Sequence, residues 1–145
     1  MGRYLITLED TLFPDRGAHM EYFEPGEVLI QRSPKLNSDP IERDGNTIYL
    51  NGRILAKPGR SCMSRKHGII TFDEGRTPGI HYQNFADSGT RINGDLDQDQ
   101  EKKKRCLGDK LGFGITGDNF SSFEDFGDRY ILTLGWTNVD PSGRP

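Results

Sequence analysis

Apolar residues in this chain recur at every second position over short runs, and seldom at the three-to-four spacing of a helix. Alternating or compact apolar runs occupy 3–8, 20–23, 27–32, 47–50, 68–72, 80–85, 90–92, 110–115 and 130–134. Turn-forming residues punctuate them: Pro25-Gly26 before 27–32, Asp44-Gly45-Asn46 before 47–50, Asp73-Glu74-Gly75 after 68–72 and Asn93-Gly94 after 90–92. Asn-Gly between such runs signals a hairpin, because both residues tolerate the left-handed backbone of a two-residue loop. Many short strands with turns between them predict an all-β protein built as a sandwich of two packed sheets. The stretch 98–105 is helix-like in composition but has almost no apolar face. The stretches 33–46, 51–63 and 117–128 read as polar loops.

The 145 residues fit one ordinary domain, expected over 1–136, with 137–145 as a C-terminal linker. Eighteen Gly and eight Pro favour short strands and turns over long helices. Mean hydropathy is −0.72, so the core has to be economical, yet the aromatic residues sit inside strand-like runs and argue against a disordered chain. The net charge of −3 gives no global attraction to nucleic acid or to an anionic membrane. No apolar run is long enough to span a bilayer, and the first residues show neither a secretory core nor a myristoylation pattern. Two cysteines, Cys62 and Cys106, lack the spacing of a zinc site or of a disulfide framework and read as reduced thiols of an intracellular protein.

Chemistry concentrates in three segments. Pro25 to Arg32 (PGEVLIQR) is a turn and a strand that ends on an arginine. Ser64-Arg65-Lys66-His67 stands directly before the apolar strand at Gly68. Ser88-Gly89-Thr90-Arg91-Ile92-Asn93-Gly94 is a small-residue turn, a short strand and a hairpin, followed by Leu107-Gly108-Asp109-Lys110. An arginine at one strand end and a Ser-Arg pair at the start of another can share one loop rim of a sandwich. Guanidinium binds phosphate as a fork, with a hydroxyl and backbone amides to fill the remaining oxygens. A phosphothreonine carries about −1.5 to −2 charge and three acceptor oxygens, and it is recognised by such basic clusters.

The order of these motifs resembles the forkhead-associated (FHA) family: an arginine after a strand, then SRxH, then GT-x-x-NG, then GD before a closing strand. The resemblance covers residues 20–135. It implies an FHA/SMAD-like β-sandwich of about eleven strands, with a phosphothreonine site in the loops at one end, and a non-enzymatic binding module. By resemblance Arg32, Ser64 and Arg65 hold the phosphate, and Ser88 and Thr90 form the turn that receives the peptide. His67, Gly89, Asn93 and Gly94 support the loops. Arg53 and Arg60 are rival phosphate arginines, and Asp87 is a further possible ligand contact. The sequence departs from the family pattern at Gln31, Ala86, Asp87 and Ser88, where the family has Gly, Ser, a small hydroxyl residue and Asn. The basic loop around Arg53, Lys57 and Arg60 favours acidic residues flanking the phosphate. The resemblance further implies a nuclear location and leaves homodimerisation open.

Other readings compete. An FHA sandwich that has lost phosphate binding would act as a scaffold, which Ala86, Asp87 and Ser88 favour. Ser64 and His67 could form a nucleophile pair, but no GxSxG elbow accompanies them, so no catalytic residue is expected. The acidic run 95–101 resembles the start of a calcium loop but has Gln100 and Cys106 where Gly and Glu belong, so neither metal nor cofactor is expected. The basic run 102–105 reads as a solvated charge run. His19 and His81 read as ordinary surface or strand residues, and Trp136 as core.

Overall fold

The computed structural model describes residues 3–11, 14–34, 39–51, 63–75, 78–87, 89–114 and 129–137. Alternation sets the inward face of each strand. In β1 (Arg3–Asp10) Tyr4, Ile6 and Leu8 are buried while Leu5 and Thr7 face outward. A single 3-10 turn at Pro14–Arg16 leads into β2 (His19–Phe23), and β3 (Gly26–Arg32) buries Val28 and Ile30. The chain continues through β4 (Ile41–Asp44), β5 (Thr47–Leu50), β6 (Gly68–Phe72) and β7 (Ile80–Asn84). It closes with β8 (Thr90–Ile92), β9 (Asp95–Asp97), β10 (Lys103–Arg105), β11 (Lys110–Phe113) and β12 (Tyr130–Thr137).

Two six-stranded sheets result, ordered β2-β1-β12-β11-β8-β9 and β10-β7-β6-β3-β5-β4. Every described pairing is antiparallel except β3 with β5. In the first sheet β1 lies between β2 and β12, with Arg3 opposite Thr137 and Asp10 opposite Tyr130. The facing sides of the sheets share one core, in which Tyr4 of the first sheet stacks on Phe72 of the second with ring centroids 4.3 Å apart. The Tyr4 hydroxyl donates to the Asp73 carbonyl at 2.7 Å and accepts from the Gly79 amide at 3.0 Å, so the phenol joins the sheets without leaving a buried polar atom unmatched.

Three strands lie where the sequence predicts none. The loop expected over 33–46 contains β4, the acidic run begins with β9, and the helix-like stretch 98–105 ends in β10. All three are edge strands. An edge strand is held by backbone pairing on one side and needs no apolar face, so hydrophobic periodicity is silent about it. Two hairpins explain how they form. Gly45, with φ +59°, turns Asp44 back to Thr47, and Asn93-Gly94, with φ +51° and +91°, turns Ile92 back to Asp95. The charges of β10 suit an edge: Lys103 is held by Asp99 at 2.9 Å and Asp97 at 3.4 Å, and Lys104 is exposed. His19 and His81 lie in β2 and β7, and Trp136 packs partly buried against the core.

The register gathers the end of β3, the start of β6, the end of β7 and the start of β8 at one end of the sandwich, where Ile30 faces Gly68 and Gly68 faces Asn84.

Candidate functional site

At that end the antiparallel ladder between β3 and β6 runs past the strands and then bulges. The His67 amide donates to the Ile30 carbonyl at 2.9 Å, and the Arg32 amide donates to the Ser64 carbonyl at 3.1 Å. Arg65 and Lys66 are the residues pushed out, and both are exposed. Arg32 and Ser64, half-buried, are thus neighbours on the rim, as the sequence predicts. Neither Arg32 nor Arg65 has an ion-pair partner among the described residues. Ser33 follows the strand inward, its amide bonded to the Leu50 carbonyl at 3.0 Å.

His67 lies beneath the bulge with no exposed surface, edge-on to Phe113. Its Nδ1 accepts from the Ser64 amide at 3.2 Å, and its Nε2 donates to the Gly89 carbonyl at 3.1 Å. That pattern requires the neutral ring protonated on Nε2. Burial pushes the imidazole pKa down to about 4, against the opposing pull of the Gly89 hydrogen bond. The ring ties the bulge at 64–67 to the turn at 86–89. A second tie is the Phe85 amide, which donates to the His67 carbonyl at 2.8 Å, and the Lys66 ammonium lies 4.3 Å from the Phe85 ring centroid.

The turn has its own buried frame. The Gly89 amide donates to the Ala86 carbonyl at 3.0 Å, with Gly89 at φ +83°. A Cβ at Gly89 would stand 2.7 Å from the Asp97 carbonyl oxygen, so both conformation and space demand glycine. Asn84 faces inward where Ile80 and Tyr82 also face inward, and its amide grips Ala86 at both polar backbone atoms (2.9 and 3.2 Å). The Thr90 hydroxyl donates to Asn84 Oδ1 at 3.0 Å and so takes the Tyr82 hydroxyl proton at 2.7 Å. Tyr82 reaches across by passing over Gly68, where a Cβ would lie 2.1 Å from its Oη. Burial raises the Tyr82 phenol well above its ordinary range.

The hairpin at Asn93-Gly94 braces the opposite stretch of β8. Asn93 accepts from the Lys110 amide at 2.9 Å and donates to Asp109 at 3.0 Å; Asp109 also accepts from the Cys106 amide at 2.8 Å. The contacts to Cys106 and Asn93 outweigh partial burial and lower the Asp109 pKa. Cys106 is an exposed free thiol, and no helix among the described residues is long and apolar enough to cross a membrane.

No sequence-family model matches the chain, and no curated protein matches it significantly. Its architecture does match solved structures. Full-length yeast Pml1 aligns with a TM-score of 0.64 at 16% identity, over 94% of this chain and 83% of that one. The FHA domain of the CT664 protein from Chlamydia trachomatis aligns at 0.53 and 11%, over 92% and 96%. The N-terminal FHA domain of Rad53p from S. cerevisiae, solved in complex with a phosphothreonine peptide, aligns at 0.54 and 13%, over 92% and 94%. The protein has the forkhead-associated fold.

Within the FHA fold the rim brings together Arg32, Ser64, Arg65, His67, Gly89 and Thr90. Asp87 stands exposed at the apex of the 86–89 turn. Thr90, expected in the turn that receives the peptide, is 1% exposed, with its hydroxyl bonded inward to Asn84 and Tyr82, so it supports that turn from beneath. Asn93 and Gly94 support β8 away from the rim. Ser88, Arg53 and Arg60 lie outside the described residues. Sequence reasoning missed Asn84, Tyr82 and Lys66 as parts of the rim. Asn84 was readable in principle, because an amide at an inward strand position must find buried partners.

Proposed function

We propose that this chain is a non-enzymatic module that binds phosphothreonine in an extended segment of a partner protein. The hydrogen bond between the Arg32 amide and the Ser64 carbonyl carries this reading, because it makes a guanidinium and a hydroxyl, distant in sequence, into neighbours on one rim. Arg32, Ser64 and Arg65 hold the phosphate in this reading, with Arg53 or Arg60 as the rival phosphate arginine and Ser88 in the turn assigned to the peptide. The Rad53p domain, seen with a phosphothreonine peptide, supports the assignment through fold alone. The domain is taken to span 1–136, and β12 carries the sheet one residue further, to Thr137. A nuclear setting goes with the reading by resemblance and is checked by imaging a tagged chain in cells.

Titration of a phosphothreonine peptide library against wild type, Arg32→Ala and Ser64→Ala tests the proposal. Loss of charged hydrogen bonds worth about 1.5–3 kcal/mol should weaken Arg32→Ala binding roughly ten- to a hundred-fold. Binding by the wild type that survives dephosphorylation of the peptide would select the scaffold reading instead, which the buried methyl of Ala86 favours. The hydrolase reading has a specific obstacle. Both ring nitrogens of His67 are engaged by backbone groups, so neither is placed to accept the Ser64 hydroxyl proton.

A further inference from the structure

Both open sides of the sandwich carry a charged pair that points inward. Glu21 of β2 lies across its ladder from Ile6, and Arg43 of β4 from Ile48. Asp97 of β9 lies across from Thr90, and Lys103 of β10 from Tyr82. Those four partners are buried, and directly opposite residues share a face, so all four charged side chains leave the inner faces of edge strands. They meet across the gap between the sheets. Arg43 Nη1 donates to Glu21 Oε2 at 2.8 Å, with the guanidinium 3.8 Å from the Phe23 ring centroid, and His19 Nε2 lies 2.7 Å from the other Glu21 oxygen. On the far side Lys103 Nζ stands 3.4 Å from Asp97 Oδ2. One ionic clasp therefore joins β2 to β4, and another joins β9 to β10.

The edge backbones are engaged as well. The Leu134 backbone bonds to Gly108 and Asp109 and so faces β11; Gly135 then faces Leu5, and Tyr22, opposite Leu5, turns its polar backbone atoms to the open side. Arg43 Nη1 takes that Tyr22 carbonyl at 2.9 Å. By the same alternation, the Asp73–Gly79 and Phe85–His67 bonds face the odd residues of β7 toward β6, which leaves the Lys104 backbone on the open side of β10. Arg105 Nε takes the Lys104 carbonyl at 2.8 Å. An unpaired strand edge invites a further strand, and inward-pointing charges deter one. We propose that the Glu21–Arg43 clasp closes the β2 edge to strand addition, and that without it β2 pairs antiparallel with β2 of a second copy about a two-fold axis. Such an isologous pair needs no surface beyond the edge itself. The Asp97–Lys103 pair repeats the device on the other side, so partners are left with the loop ends of the sandwich.

Sedimentation velocity of the unphosphorylated chain is the test. Wild type should run as a monomer across the concentration range. The double variant Glu21→Gln, Arg43→Met removes both charges at once, so neither is left unpaired, and it should self-associate about ten-fold or more tightly than wild type. Adding Met20→Pro, which deletes an amide on the same open side as Tyr22 and spares the β1 ladder, should restore the monomer. Near-ultraviolet circular dichroism establishes that each variant is folded. Should the double variant not fold, Arg43→Gln, whose shorter side chain does not span to β2, takes its place with the same expectations. A folded variant that stays monomeric would overturn the proposal. So would association that persists with Met20→Pro, since it would come from the uncovered Phe23 face, and so would a wild type that already pairs through β2.

Discussion

Acidification should loosen the rim through His67. The neutral ring is buried with a pKa near 4 in the fold, against 6.5 for an unperturbed imidazole. The unfolded chain therefore takes up a proton as pH falls through 6.5, while the folded chain resists until about 4. Stability from this group is whole above pH 6.5 and drains away between 6.5 and 4. At about 1.4 kcal/mol per pH unit, the loss by pH 4.5 is about 2.5 kcal/mol. The cause is local as well as electrostatic, since a proton on Nδ1 would face the Ser64 amide donor across 3.2 Å. Urea unfolding can be followed through Trp136, which meets Tyr4 edge-on at 4.8 Å. Wild type should lose this increment between pH 7.5 and 4.5, and His67→Gln, less stable at pH 7.5, should lose that much less over the same interval. The carboxylates with lowered pKa, Glu21 and Asp109, drain their stability below their ordinary values of 4.5 and 3.8, and they do so equally in both proteins. Identical pH profiles for the two proteins, or an NMR titration of the His67 ring near 6.5, would refute the reasoning.

Gly89→Ala should cost about 2–3 kcal/mol, because the new Cβ is strained at φ +83° and meets the Asp97 carbonyl; thermal melts read the loss. Gly68→Ala should be at least as damaging, since the Tyr82 ring must leave Thr90 to make room, and the displaced ring should appear as a change in near-ultraviolet circular dichroism. Asn84→Ala leaves the buried Ala86 amide without its acceptor and should cost about 2 kcal/mol in urea unfolding, together with faster hydrogen exchange at that amide.

The strands that bury side chains on every second position were legible in the sequence. TIYL, GIITF and the short 90–92 strand have the predicted bounds, because their inward residues are apolar and their ends carry turn residues. The unseen strands, β4, β9 and β10, hold only Ile41 and Leu96 as apolar residues and are held by hairpins and backbone pairing. At the site, SRKH and GT were legible as a motif, but not the part each residue plays. Thr90 reads as part of the turn that receives the peptide, but the sequence does not show that Asn84 and Tyr82 hold its hydroxyl, because those partners come from another strand that sequence spacing does not align. Lys66 was hidden for the opposite reason: a lysine beside a histidine is unremarkable until Phe85 is found beneath it.

The pairing of β1 with β12 has a kinetic consequence. Arg3 meets Thr137 and Asp10 meets Tyr130, so the first sheet joins the first and the last of the described strands. Its loop-closure entropy has to be met before those contacts contribute anything, which places folding in the millisecond-to-second range of non-local β topologies. On the ribosome, β1 must wait unpaired on that side until β12 has emerged, and a chain truncated before Tyr130 would leave Tyr4, Ile6 and Leu8 beside an open sheet edge ready to pair with another molecule.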